Sequence, residues 1–140
     1  MASHNLINCV LFGYGRAGKI HYNTLGKSTQ FKLKYVVEII DISSEIDKNV
    51  EYADFNDKSK IIQIMEDETI KAVFITTPTL THFELASLSL TYGKHVFVEK
   101  PLVDNLDQIN QCFELANSKN RILFVGYNRR FDKKLMDVKV

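Results

Sequence analysis

The chain has no tryptophan, and only two cysteines and two prolines among its 140 residues. Two thiols, Cys9 and Cys112, are too few for a disulfide-stapled secreted scaffold or for a cysteine-rich metal site. The pattern buries them on faces of a strand and a helix, where a small thiol packs as a core residue. No metal site is expected, and a reducing cytoplasm suits this composition. An excess of one charge is also missing. The net charge is +1, and the Lys133-Lys134 pair is too short to make a basic tract, so a dedicated nucleic-acid surface is not expected. No run approaches the roughly 20 apolar residues that a membrane span needs. Met1–Asn8 has neither the basic start nor the apolar stretch of a signal peptide. No internal repeat or low-complexity segment is visible. At 45% hydrophobic and 25% charged, the remainder is an ordinary soluble chain, long enough to bury one core.

Glycine is scarce too, with six in all, yet three fall within six residues. Gly13, Gly15 and Gly18 have the G-x-G-x-x-G spacing, between an apolar run ending at Phe12 and a helical pattern opening at Arg16. In a strand-to-helix turn that holds a pyrophosphate, the first glycine permits the tight turn and the second lets phosphates approach the backbone. The third lets helix and strand pack closely. The unsatisfied N–H groups and positive dipole end of the new helix then face the anion. Glu38 stands about twenty positions past Gly18 and closes the apolar run Leu33–Val37, where a carboxylate accepts hydrogen bonds from the adenosine ribose. It would repel a 2′-phosphate, and no Arg or Lys follows before Lys48 to compensate. NAD is therefore favoured over NADP, with Asp41 as the alternative carboxylate if the strand runs longer.

Strand and helix patterns alternate along the chain. Strands are predicted over Leu6–Phe12, Phe31–Glu38, Val50–Ala53, Ala72–Thr76, His95–Val98 and Ile122–Val125. The helix Arg16–Lys27 should turn Ala17, Ile20, Thr24 and Leu25 inward. Asn56–Asp67 should bury Ile61, Ile62 and Met65. A third helix opens on the capping box Thr81-His82-Phe83-Glu84 and ends at Gly93. A fourth opens in the same way on Asn105-Leu106-Asp107-Gln108, with Leu106, Ile109, Cys112, Phe113 and Ala116 inward. Asp41–Asn49 is polar, either loop or broken helix. Such alternation implies right-handed crossovers and one α/β domain. Its doubly wound parallel sheet would have six strands in the order 3-2-1-4-5-6 and helices on both faces. This domain is expected over residues 1–131, with a short tail over 132–140.

Ligands of such a sheet bind beyond the carboxyl ends of its strands. The two prolines both punctuate that edge: Pro78 ends the fourth strand and Pro101 follows the fifth, restricting Thr77 and Lys100 to extended conformations. Lys100 follows Glu99 into the expected cleft, where an ammonium beside a nicotinamide can hydrogen-bond the oxygen that gains or loses a proton. The alternative is a surface Glu99–Lys100 pair of little energetic worth. His82, in the first turn of its helix, either contacts a cofactor or caps the helix while exposed. Spacing favours the second. His21 and His95 read as structural, and His4 lies in the N-terminal segment.

The segments Gly13–His21, Thr76–His82, Gly93–Pro101 and Gly126–Asp132, with Glu99-Lys100-Pro101 the most specific, resemble the N-terminal half of the Gfo/Idh/MocA oxidoreductases, in the family's order and spacing. The resemblance implies that Gly13, Gly15, Arg16 and Ala17 line the pyrophosphate, with Tyr14 and Gly18 completing the cofactor-binding loop. It implies Glu38 at the adenosine ribose and Thr76, Thr77, Pro78 and His82 along the middle of the cofactor. Glu99 and Lys100 would stand at the nicotinamide end, Lys100 as the catalytic group, and Asn128 and Arg129 would border the substrate cleft. Family members exchange a hydride between NAD or NADP and a secondary alcohol of a sugar or cyclitol. They continue into a second α/β domain that forms the substrate cavity and supplies a catalytic Asp and His. No histidine follows His95 here. Two readings stand: a dehydrogenase completed by a domain elsewhere, or a cofactor-binding module without turnover of its own.

Overall fold

Six strands form one parallel sheet in the order β3-β2-β1-β4-β5-β6, as the alternation of patterns implies. The computed structural model describes residues 5–128 and 133–136. The strands are β1 (Ile7–Phe12), β2 (Phe31–Glu38), β3 (Glu51–Asp54), β4 (Ile70–Ile75), β5 (His95–Glu99) and β6 (Leu123–Gly126). The helices are α1 (Arg16–Lys27), α2 (Lys58–Glu66), α3 (His82–Thr91), α4 (Leu106–Ser118) and the four-residue α5 (Lys133–Met136). Central β1 shows why it reads as an unbroken apolar run. Cys9, Val10, Leu11 and Phe12 are all fully buried, alternately on the two faces of the sheet.

On one face α2, α3 and α4 cover Val10, Phe12, Val73, Ile75, Val96 and Val98. On the other, α1 and the segment after β2 cover Cys9, Leu11, Leu33 and Val36. Residues 41–49 are irregular rather than helical, and they do a helix's work by inserting Ile42 and Ile46 beneath α1. The Tyr22 hydroxyl pins this segment: it donates to Asp47 Oδ2 and accepts from Asp47 N–H, both at 2.8 Å. Phe31, Phe74, Phe97 and Phe124 form a row across the same face, with ring centroids 5.4–5.8 Å apart.

The rotation of three helices differs from the sequence expectation. In α1 the buried face is Gly18, Tyr22 and Leu25, while Thr24 is exposed and Ile20 is 59% exposed. The need for Gly18 to lie against the strand turns that face inward and swings Ala17 and Ile20 aside. In α2 the buried set is Ile61, Ile64 and Met65, with Ile62 half-buried. In α4, Cys112 and Ala116 are buried and Ile109 half-buried, but Leu106 and Phe113 are exposed. At about 100° per residue those two lie well to one side of the Ile109–Cys112–Ala116 stripe.

Helix starts differ as well. Asn105 caps α4 by accepting from Gln108 N–H at 3.1 Å, but Thr81 makes no such cap. A 3-10 turn, Thr79–Thr81, precedes α3, so the Thr81 hydroxyl turns back to Thr77 Oγ1 at 2.6 Å and the Pro78 carbonyl at 2.7 Å. Among the described residues no helix is long and apolar enough to cross a membrane.

Burial lifts the Cys9 thiol to about 12 and raises that of Cys112 as well. At pH 8 the thiolate fraction of Cys9 is then roughly one in ten thousand. Ellman's reagent at pH 8 is expected to leave the native chain unlabelled and to titrate both cysteines in guanidinium. Prompt native labelling of Cys9 would mean that β1 is not covered on both faces.

Candidate functional site

The site begins where β1 stops. Gly13 takes φ +96°, in the left-handed region, and its N–H donates to Val37 O at 2.9 Å. Thr76, just past β4, closes on the same point. Its N–H donates to Phe12 O at 2.8 Å, and its hydroxyl bonds Phe12 O at 2.9 Å and Gly13 O at 3.1 Å. A Cβ on Gly13 would lie 2.8 Å from Thr76 O, and one on Gly18 would collide with Gly13 O. These two glycines are required by the protein's own packing.

Gly15 is different. Its φ of −76° suits any residue, and a Cβ there would meet nothing within 4 Å. The space it would enter lies before the first turn of α1. Gly15 is the N-cap of α1, without a side-chain cap, and the first turn carries no acidic residue. The leading N–H groups are therefore left for an outside acceptor. An open volume in front of a bare helix amino end fits the diphosphate of a dinucleotide.

Two clefts flank this turn. The first, about 480 Å3, includes Gly13, Gly15, Glu38, Ile39 and the Thr76-Thr77-Pro78 run. Glu38 is anchored at its mouth: Oε2 accepts from Tyr14 N–H and Oε1 from Ile39 N–H, both at 2.7 Å. A carboxylate offers about four acceptor positions, so each oxygen keeps capacity for a further donor. Asp41, the alternative, is exposed and committed to a turn with Ser43, whose hydroxyl and N–H hold its carboxyl below the usual range. The Tyr14 ring packs edge-on against Tyr22.

The second cleft, about 830 Å3, brings together Arg16, Ala17, His21, Glu99, Lys100 and Asn128, floored by Phe97 and Phe124. Lys100 is exposed, and the bond to Pro101 is cis. The surface Glu99–Lys100 pair considered as an alternative is not formed. Glu99 Oε1 instead accepts from His21 Nε2 at 2.7 Å. From the sequence His21 reads as structural, and the signal that turns it toward Glu99 is Gly18. Once Gly18, Tyr22 and Leu25 define the packed side of α1, Ala17, Ile20 and His21 share the side toward this cleft.

His82 is not an exposed cap. It is 1% exposed, with Nδ1 2.8 Å from Pro101 O and Nε2 2.8 Å from Thr77 O. It therefore sits beneath the ligand-facing edge and ties the loop after β4 to the loop after β5. His95 is structural, as expected: its Nδ1 accepts from Ile122 N–H at 3.0 Å, and burial, with Arg121 nearby, lowers its proton affinity. Arg129 lies outside the described residues. A third cavity, about 520 Å3, opens at the opposite end of the sheet beside Lys94. The Lys94 ammonium is spent internally on Asp67 O and Ile70 O, both at 2.7 Å, and burial lowers its proton affinity. No cluster of His, Cys, Asp and Glu suited to a metal is found among the described residues.

The strand order, the glycine turn and the acidic end of β2 define a Rossmann-type dinucleotide-binding domain. The chain belongs to the Gfo/Idh/MocA oxidoreductase family, whose NAD-binding Rossmann-fold model matches residues 7–127. It is 30% identical over 135 residues to myo-inositol 2-dehydrogenase of Thermotoga maritima, covering 92% of this chain and 38% of that protein. It is 31% identical to the NAD(+) scyllo-inositol 2-dehydrogenase of Bacillus subtilis, covering 95% and 39%. The crystal structure of scyllo-inositol dehydrogenase from Lactobacillus casei, with bound NAD(H) and scyllo-inositol, superposes with a TM-score of 0.81 at 26% identity, over 94% of this chain and 39% of that one. The chain thus spans less than two-fifths of these relatives' length.

The two kinds of glycine separate experimentally. Gly18→Ala should cost about 2 kcal/mol or more, because the clash is with backbone, and should lower the melting temperature without ligand. Gly15→Ala should melt like the parent but lose dinucleotide affinity by about tenfold or more. Thermal denaturation combined with calorimetric titration checks both. Unchanged affinity in Gly15→Ala would remove the diphosphate from this turn.

Proposed function

We propose that this chain binds NAD in preference to NADP and forms the cofactor half of a dehydrogenase acting on a secondary alcohol of a sugar or cyclitol. One observation carries the cofactor preference. The Glu38 carboxylate is held at the mouth of the first cleft by two backbone N–H groups, beside the open space at Gly15. Ribose hydroxyls donate to such a carboxylate, whereas a 2′-phosphate is repelled by it. The two residues that follow, exposed Ile39 and Ile40, carry no charge to reverse that preference.

The remaining assignments follow the direction of the cofactor across the turn. Gly13, Tyr14, Gly15, Arg16, Ala17 and Gly18 form the diphosphate loop, and Thr76, Thr77 and Pro78 border the middle of the cofactor. His82 supports that stretch from below. Glu99 and Lys100 stand at the nicotinamide end, and Asn128 edges the substrate. Bound nicotinamide accepts or returns the hydride. The Lys100 ammonium donates a hydrogen bond to the reacting oxygen, and the proton passes between that oxygen and an acid/base group of a companion substrate domain. The names of the inositol dehydrogenase relatives support the polyol class. We assign cofactor binding to residues 1–131 of this chain and hydride transfer to these residues acting with a companion substrate domain.

Glu38→Ala should weaken NAD binding about tenfold, as expected for lost hydrogen bonds to a charged acceptor, and should narrow the gap between NAD and NADP. Calorimetric titration of both cofactors against parent and variant measures this. An unchanged NAD affinity would move the ribose contact to Asp41.

A further inference from the structure

The second cleft contains more charge than a single lysine hydrogen-bonding the reacting oxygen requires. Arg16 on α1 and Lys100 after β5 are both cationic and exposed, and Glu99 is the one carboxylate among the described residues lining it. The end of β6 contributes Phe124, Gly126 and Asn128, none of which titrates. Glu99 is fixed rather than free. His21 Nε2 donates to its Oε1 at 2.7 Å, and the two side chains are 22% and 26% exposed. The His21 ring is braced in turn by Phe97, 5.0 Å away between centroids. β6 leaves room for this arrangement by carrying Gly126, where a Cβ would stand 3.5 Å from Glu99 Oε2 and 2.7 Å from the Phe97 ring.

Oxidised nicotinamide is a cation and reduced nicotinamide is neutral, while the rest of the dinucleotide is the same in both. A charge near the ring therefore enters the ratio of the two affinities and little else. Arg16 and Lys100 oppose the cation, and Glu99 offsets them from a partly dewatered position, where Coulomb interactions are screened less than in bulk water. We propose that Glu99, held in place by His21, sets the preference of this cleft for the oxidised over the reduced cofactor. His21 is a positioning residue that acts through Glu99. The inference rests on the second cleft being the nicotinamide end, as proposed above.

The test uses binding alone, with NAD+, NADH and ADP-ribose titrated against the parent chain and against Glu99→Gln, His21→Ala and His21→Gln. Glu99→Gln should lower the ratio of the NADH to the NAD+ dissociation constant by about tenfold. ADP-ribose affinity should stay level. His21→Ala should lower the ratio by roughly threefold by freeing the carboxylate, and His21→Gln should restore it, since the carboxamide still donates. An unmoved ratio, or equal weakening of all three ligands, would overturn the proposal and leave a packing role for the pair. Failure of the parent chain to bind either redox form would overturn the cofactor reading itself, which is a different result.

Discussion

Three stretches of chain meet at the Gly13 turn, and the geometry of the ligand-facing edge follows from how tightly they meet. Gly13 turns through a positive φ against the Thr76 backbone, Thr76 hydrogen-bonds both residues on either side of the turn, and Gly18 lies directly over the Gly13 carbonyl. No side chain fits between them. The start of α1 is therefore fixed by close backbone contact, and its uncapped amino end points over the C-terminal edge of the sheet. Both clefts are the spaces left on either side of that helix start.

Charge is distributed unevenly along this edge. At the β2 end a single carboxylate is held by two backbone N–H groups and by no other side chain. At the β5 end two exposed cations face a carboxylate already paired with an imidazole. Between them, buried His82 joins the loops after β4 and β5 through their carbonyls. The separation of those two strand ends is thus governed from inside the protein, beneath the surface a ligand would touch.

Much of this was legible from residue spacing. The glycine turn, Glu38 at the end of β2, both prolines at strand ends and the sheet order all depend on neighbours in sequence or on general rules of crossover handedness. Every one is found where the spacing put it. The rotation of the helices was harder. Ile20 and Leu106 belong to apolar patterns yet face outward, because periodicity gives the angles between residues around a helix and leaves its absolute rotation to whatever packs closest. In α1 that partner is the Gly13 carbonyl. The capping box at Thr81 failed for a related reason: the preceding 3-10 turn offers the hydroxyl a carbonyl and a second hydroxyl nearer than the helix N–H groups.

The linear order of residues determined the architecture: parallel strands wound outward from β1, with a glycine turn and an acidic residue at set distances, since these need only local conformation and chain connectivity. Tertiary structure decided which side chains meet. His21 reaches Glu99 across 78 positions, and His82 reaches Pro101 across 19. Such pairs are selected by the rotation of a helix on a sheet and by the room a glycine leaves on the next strand. Those are properties of packed elements, and no spacing along the chain encodes them.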